Sequence, residues 1–113
     1  MFKEFGQIMG MLKNPSKIKE ELEQFQQKVG QITAEGTAGG GMVSVKMNGH
    51  CEIVSCKISD ETMQMNDREM LEDLFRAATN QALQKIQQSI AEERTKMATG
   101  LGIPAGMDLP GLS

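Results

Sequence analysis

The stretch Met42-Val43-Ser44-Val45-Lys46-Met47-Asn48-Gly49 decides the fold of this chain. Its first six residues alternate in character, so Val43, Val45 and Met47 fall on one face of an extended segment. A period of two predicts a strand with one buried face and one solvated face. The apolar face needs another layer of structure to cover it, which favours a mixed α+β fold.

The dipeptide Asn48-Gly49 predicts a hairpin turn, because both residue types tolerate a positive φ angle. The return strand is expected within residues 50–59. A three-residue loop would pair Val45 with Ile53, whereas a two-residue loop would pair it with Glu52. We favour the three-residue loop.

A helix is predicted upstream, beginning at Asn14-Pro15, because asparagine is a favoured N-cap and proline suits the first helical position. Apolar residues then recur at spacings of four and three, at Ile18, Leu22, Phe25, Val29 and Ile32. Such a narrow stripe is typical of a helix that packs against one partner helix or one sheet face. Residues 31–38 are interpreted as a further short strand before a glycine loop.

A long helix is predicted downstream, over residues 67–98, with Asn66 and Glu69 forming a capping box. Its length is the notable feature. About 32 residues at about 1.5 Å each give a rod of roughly 48 Å, whereas a compact chain of this size is roughly 35 Å across. The helix is therefore expected to extend past its own sheet, which favours a symmetric homodimer.

The chain is expected to form a single α+β domain over residues 1–113: an N-terminal helix, a three-stranded antiparallel sheet and a long C-terminal helix. Residues 1–13 are interpreted as a marginal N-terminal arm, because two glycines weaken the helical pattern. Residues 100–113 are rich in glycine and proline and are expected to be a flexible tail.

Composition excludes several function classes. The chain carries 12 basic and 15 acidic residues, with a net charge of -3, so a nucleic-acid site would have to be a local basic patch. No stretch has the roughly 20 apolar residues of a membrane span, and no secretory signal is evident, so a cytoplasmic protein is expected. With one histidine and two cysteines, no catalytic or metal-ligating arrangement is recognisable. We expect no enzymatic activity, no cofactor, no metal, no small-molecule substrate and no membrane partner.

Basic residues gather near the start of the first helix and the end of the second. The first group consists of Lys3, Lys13, Lys17 and Lys19, and the second, on the distal half of the long helix, of Lys85, Arg94 and Lys96. In a dimer each group appears twice, and paired basic helix ends could contact DNA phosphates. From these residues alone, we favour an ordinary solvated helix face.

Four segments resemble the YbaB/EbfC family of bacterial nucleoid-associated proteins. They are the hairpin Met47-Asn48-Gly49-His50, the helix opening Asp67-Arg68-Glu69-Met70-Leu71-Glu72-Asp73-Leu74, the segment Ala77-Ala78-Thr79-Asn80-Gln81-Ala82, and the tail Thr99-Gly100-Leu101-Gly102-Ile103-Pro104-Ala105-Gly106. The similarity covers roughly residues 30 to 110.

The resemblance implies a tweezer-like homodimer that binds double-stranded DNA at the nucleoid, in the cytoplasm of a bacterium. Carried over to this sequence, the family's DNA-contacting helices correspond to Lys13, Lys17 and Lys19 at one end, and to Arg94 and Lys96 at the other. The expected function is DNA-phosphate contact that organises the chromosome or modulates expression. The alternative is a protein–protein adaptor or small chaperone-like clamp, which the ten methionines and the acidic balance favour.

Overall fold

The computed structural model of the protein describes residues 15–102 and has the predicted α+β architecture. In chain order its elements are α1 (Pro15–Gln31), β1 (Thr33–Ala38), β2 (Val43–Asn48), β3 (Ile53–Ile58), α2 (Asp60–Gln64) and α3 (Arg68–Gly100). The predicted arm at residues 1–13 lies outside the described residues, as do residues 103–113 of the predicted tail. The prediction of a flexible tail from residue 100 is wrong at its start, because Gly100 still belongs to α3 and Leu101 is buried. Only α2 was not expected, because its sequence predicts a polar connection between β3 and the long helix.

The three strands form one antiparallel sheet in the order β1-β2-β3. Both expected pairings of the hairpin are wrong, because Val45 lies opposite Cys56. Two features shift the register: Met47 pairs with Ile53 across a longer loop, and a bulge then places Lys46 opposite Ser55. The Asn48 side chain organises that loop, because its Oδ1 accepts hydrogen bonds from the backbone N–H groups of His50 (2.9 Å) and Glu52 (3.1 Å). Cys51 takes a positive φ of 62° within this loop.

The core lies on the inner face of the sheet, where Val43 and Val45 are fully buried, as the alternation predicts. They pack against Ala78, Ala82 and Ile86 of α3, which are also fully buried. A Cβ atom added at Gly36 of β1 would lie 2.5 Å from the backbone nitrogen of Ala82. The missing side chain at residue 36 therefore lets α3 lie close to the sheet.

Side chains of α3 also occupy the free edge of β1. The Gln81 Oε1 accepts a hydrogen bond from the backbone N–H of Thr37 (2.8 Å), and the Lys85 Nζ donates one to the backbone carbonyl of Glu35 (2.8 Å). These contacts satisfy backbone groups that an edge strand would otherwise offer to another chain.

The start of α3 is capped by Asp67, one residue later than expected. The Asp67 Oδ1 accepts a hydrogen bond from the backbone N–H of Met70 (3.1 Å), whereas Asn66 takes a positive φ of 52°. The expected capping box of Asn66 and Glu69 is therefore wrong. Asn66 joins α2 to α3 in a left-handed conformation. It therefore does not have the extended backbone of an N-cap residue.

The structure contains two compact parts, one of them formed by Gly30–Ile90. In the described chain the other is formed by residues 15–29 together with residues 91–102. In that second part, Met97 and Leu101 are buried against the apolar stripe of α1, which consists here of Ile18, Leu22 and Phe25. Between residues 15 and 102, no helix has both the length and the apolar character that crossing a lipid bilayer requires.

Candidate nucleic-acid interface

The second compact part contains all the predicted site residues that the structure describes. Lys17 and Lys19 lie on α1, and Arg94 and Lys96 lie near the end of α3. The fifth predicted residue, Lys13, lies outside the described residues.

The two helices run in opposite directions within this part. Lys28 of α1 forms an ion pair with Glu93 of α3, and the Glu21 carboxylate lies beside Gly100, 2.7 Å from where a Cβ would stand. The antiparallel pairing brings residues near position 28 level with residues near position 93.

This pairing gives Lys96 a neighbour that sequence analysis missed. The Glu93 Oε1 lies 3.3 Å from the Lys96 Nζ, and the Glu93 Oε2 lies 3.8 Å from the Lys28 Nζ. Lys19 lies nine residues before Lys28, or about 14 Å along α1 at a rise of about 1.5 Å per residue. Lys28 therefore shares an ion-pair partner with Lys96, while Lys19 lies more than two turns away along α1. No local signal distinguishes Lys28 from the other surface lysines of α1.

Arg94 is only partly exposed. Its Nε is closed to solvent and has no hydrogen-bond partner within the described part of the chain. A contact between Arg94 and an external anion would therefore use the terminal nitrogens of the guanidinium group.

Opposite charges balance in this part of the protein. Its described residues include five basic side chains, at Lys17, Lys19, Lys28, Arg94 and Lys96, and five glutamates, at Glu20, Glu21, Glu23, Glu92 and Glu93. The surface therefore has no large net positive charge, and its attraction for a polyanion depends on which cations the glutamates engage.

A second group of polar side chains lies on the outer face of the sheet. Ser44, Lys46, Ser55 and Lys57, with Glu35 beside them, line a shallow cleft of about 200 Å³. This face has no apolar row along β2, so it has the character of a solvated surface.

Residues 15–102 contain no cluster of potential metal ligands. No three side chains among histidine, cysteine, aspartate and glutamate are grouped there in a way that could hold a metal ion. The single histidine, His50, is exposed in the loop between β2 and β3. Cys51 and Cys56 are exposed free thiols.

The family model and the relatives that match this chain are described as DNA-binding or nucleoid-associated. A family model described as the YbaB/EbfC DNA-binding family matches residues 4–101. A nucleoid-associated protein of Caldanaerobacter subterraneus subsp. tengcongensis is 43% identical over 97 residues, which cover 86% of this chain and 87% of that protein. A nucleoid-associated protein of Bacillus thuringiensis is 41% identical over 102 residues, covering 90% of this chain and 94% of that protein.

A solved structure agrees with the fold. The crystal structure of an uncharacterized protein from Helicobacter pylori matches with a TM-score of 0.52 and 30% identity, covering 72% of this chain and 89% of that one. The family match runs through α1, the sheet and all of α3, and therefore extends over both compact parts. By this match and by its identity to the two nucleoid-associated proteins, the chain belongs to the YbaB/EbfC DNA-binding family.

Proposed function

We propose that this protein binds double-stranded DNA through backbone phosphates, using basic side chains of α1 and of the end of α3. The supporting observation is that lysines distant in sequence, Lys28 and Lys96, share one compact part and one ion-pair partner. Lys13, Lys17, Lys19 and Arg94 extend the proposed contact surface. Ammonium and guanidinium groups would bind by displacing condensed counterions, which gives affinity without base readout.

We propose a homodimer as the active form, with a second copy covering the exposed apolar surface of β3. The inner face of β3 carries Ile53 and Ile58, which are 44% and 36% exposed. The free edge of β1 is occupied by side chains of α3, whereas no hydrogen bond within residues 15–102 similarly covers the far edge of β3. An exposed apolar strand with an open edge is a natural site of pairing between chains. A two-fold dimer would also double the number of phosphate contacts.

The names of the relatives support a place of action at the bacterial nucleoid, within the cytoplasm. There the protein would organise the chromosome or modulate expression. The contact mechanism proposed here requires neither a small-molecule substrate nor catalysis.

The test is a gel-shift titration with a mixed-sequence duplex at 50 mM and 200 mM salt. The expected result is a shift that weakens with salt, with a log–log slope of about -0.9 for each phosphate neutralised. Lys19→Gln and Lys96→Gln are expected to reduce both the affinity and the slope. Lys46→Gln is the matched control, because it removes the same charge from the outer face of the sheet.

Light scattering on the same sample tests the dimer, which should have twice the 12.4 kDa mass of the chain. Ile58→Asp is expected to give a folded monomer, because it places a charge on the proposed interface. A wild-type protein that is monomeric at micromolar concentration would contradict the dimer. Absence of any DNA shift at low salt would contradict the DNA-binding proposal and favour the protein–protein adaptor.

A further inference from the structure

The carboxylate of Glu93 lies between two ammonium groups that come from different helices. One of its oxygens lies 3.3 Å from the Lys96 Nζ on α3, and the other lies 3.8 Å from the Lys28 Nζ on α1. The Glu93 side chain is 18% exposed, whereas those of Lys28 and Lys96 are 53% and 66% exposed. The anion is thus shielded by its surroundings, and both cations extend into solvent.

A DNA phosphate would bind the same two ammonium groups. Lysine acts as a point charge toward a phosphate, and two ammonium groups near one site can each meet one oxygen of the same anionic group. Glu93 supplies two such oxygens from within the protein. While the ion pairs last, each lysine has less of its charge available for an external anion.

We infer that the Glu93 carboxylate competes with DNA phosphate for the ammonium groups of Lys28 and Lys96, and that it thereby lowers the affinity of the protein for DNA. This inference rests on the proposed function and adds to it an affinity-setting residue and a lysine, Lys28, that sequence analysis missed. The balance of five basic and five acidic side chains among residues 15–29 and 91–102 supports it, because those residues carry no surplus of positive charge that would outweigh one carboxylate.

A purely structural role for Glu93 is the competing explanation. The contact between the two helices already includes buried Met97 and Leu101, packed against Phe25 and its apolar neighbours. Ion pairs between exposed lysines and a carboxylate usually contribute little to stability. Removing the charge of Glu93 is therefore expected to change stability little, and to change mainly the positive charge that Lys28 and Lys96 present to DNA.

The experiment compares Glu93→Gln with Glu92→Gln. Both changes raise the net charge by one at adjacent positions of α3. Glu92 is exposed, and no ion pair within the described residues involves it. The readout is the anisotropy of a fluorescein-labelled 20-bp mixed-sequence duplex, titrated with full-length protein at 50, 100 and 200 mM NaCl.

Glu93→Gln is expected to bind about tenfold more tightly than wild type at 100 mM NaCl. Its log–log salt slope is expected to be steeper by about 1 to 2, because each released lysine adds about 0.9. Glu92→Gln is expected to change affinity by about twofold or less, because Glu92 is exposed and engages neither lysine, so its removal changes only the net charge, whose effect salt weakens. Equal effects of the two substitutions would overturn the inference.

Adding Lys28→Gln to Glu93→Gln is expected to remove most of the gain. A full gain that persists without Lys28 would also overturn the inference. Circular dichroism and light scattering check that each variant keeps its fold and its mass.

If Glu93→Gln does not fold, Glu93→Asp replaces it, because a side chain shorter by one methylene keeps the charge but draws the carboxylate away from both lysines. It is expected to bind about twofold to fivefold more tightly than wild type, and unchanged affinity would overturn the inference. Failure of the proposed function gives a different result, because neither the wild-type protein nor any variant would then shift the duplex in a salt-dependent way.

Discussion

Gly36→Ala is expected to destabilise the protein strongly, although the added group is a single methyl. A Cβ at this position would lie 2.5 Å from the backbone nitrogen of Ala82, and closer still to the backbone carbonyl oxygen of Ala78. Ordinary contacts between heavy atoms are about 3.5–4.0 Å. A helix backbone cannot rotate out of the way as a side chain can, so α3 would have to move by on the order of 1 Å.

The size of the destabilisation follows from the core contacts that this movement of α3 would weaken. Val45 and Ile86 are fully buried between the sheet and α3, and a gap of about 0.5–1 Å already loses a quarter to a half of a contact's attraction. Overpacking usually costs about 1–3 kcal/mol; a cost of about 3 kcal/mol is expected here, because both clashing groups are helix backbone, and replacing a strand glycine returns about 0.5–1 kcal/mol. A net loss of about 2 kcal/mol lowers Tm by roughly 8–16 °C in a domain of this size.

The assay is urea denaturation followed by circular dichroism, since the chain has no tryptophan. Protein concentration is kept fixed, because dimerisation would make stability depend on concentration. Gly40→Ala is the control: Gly40 has a φ of 66° but nothing within 4 Å of an added Cβ. Its expected cost is about 1 kcal/mol from the left-handed backbone alone. If Gly36→Ala proved no more costly than Gly40→Ala, the reasoning from close helix–sheet approach would be refuted.

Truncation of the fully buried Ile86 to Ala is expected to cost about 2–5 kcal/mol in the same denaturation assay, and a loss below about 1 kcal/mol would contradict its place in the core. Asp67→Ala is expected to cost about 1 kcal/mol, because it removes the N-cap of α3. Asn66→Gly is its comparison and is expected to be neutral or stabilising, because residue 66 holds a positive φ; the reverse order in thermal melts would assign the cap to Asn66. Lys85→Met is expected to raise aggregation on mild heating, measured by static light scattering, because the carbonyl of Glu35 on the β1 edge loses its donor. Lys46→Met, on the outer face of the central strand β2, serves as its control, and equal aggregation of the two variants would show that the edge contact is unimportant.

Local patterns were sufficient for the three strands, the two long helices and the buried face of the sheet. The alternation around Val43 and Val45 predicts both the strand and the side of it that is buried. The helical stripes predict α1 and α3, because a period near 3.6 reflects one covered face. The short helix α2 was missed, since five polar and apolar residues without a period carry no such signal.

The hairpin register and the helix cap illustrate the limit of local reasoning. Asn48 and Asn66 both suit turns and caps, and each could act in more than one way. In the structure, the Asn48 side chain organises the four-residue loop 49–52, and Asn66 takes a left-handed conformation while Asp67 caps α3. The role that each asparagine takes depends on how the helices and strands around it pack. The residues next to it in the sequence do not encode that packing.

The sequence by itself determined the α+β fold class, the residues of the sheet core and the family, because these depend on periodicity and on motifs that lie within short segments. Only the tertiary structure decided the antiparallel pairing that brings Lys28 and Lys96 to the same carboxylate of Glu93, and the close approach at Gly36 that makes a glycine necessary there. Both are contacts between segments more than 40 residues apart in the chain. Their geometry is set by the packing of helix against helix and helix against sheet, which no local pattern of residues specifies.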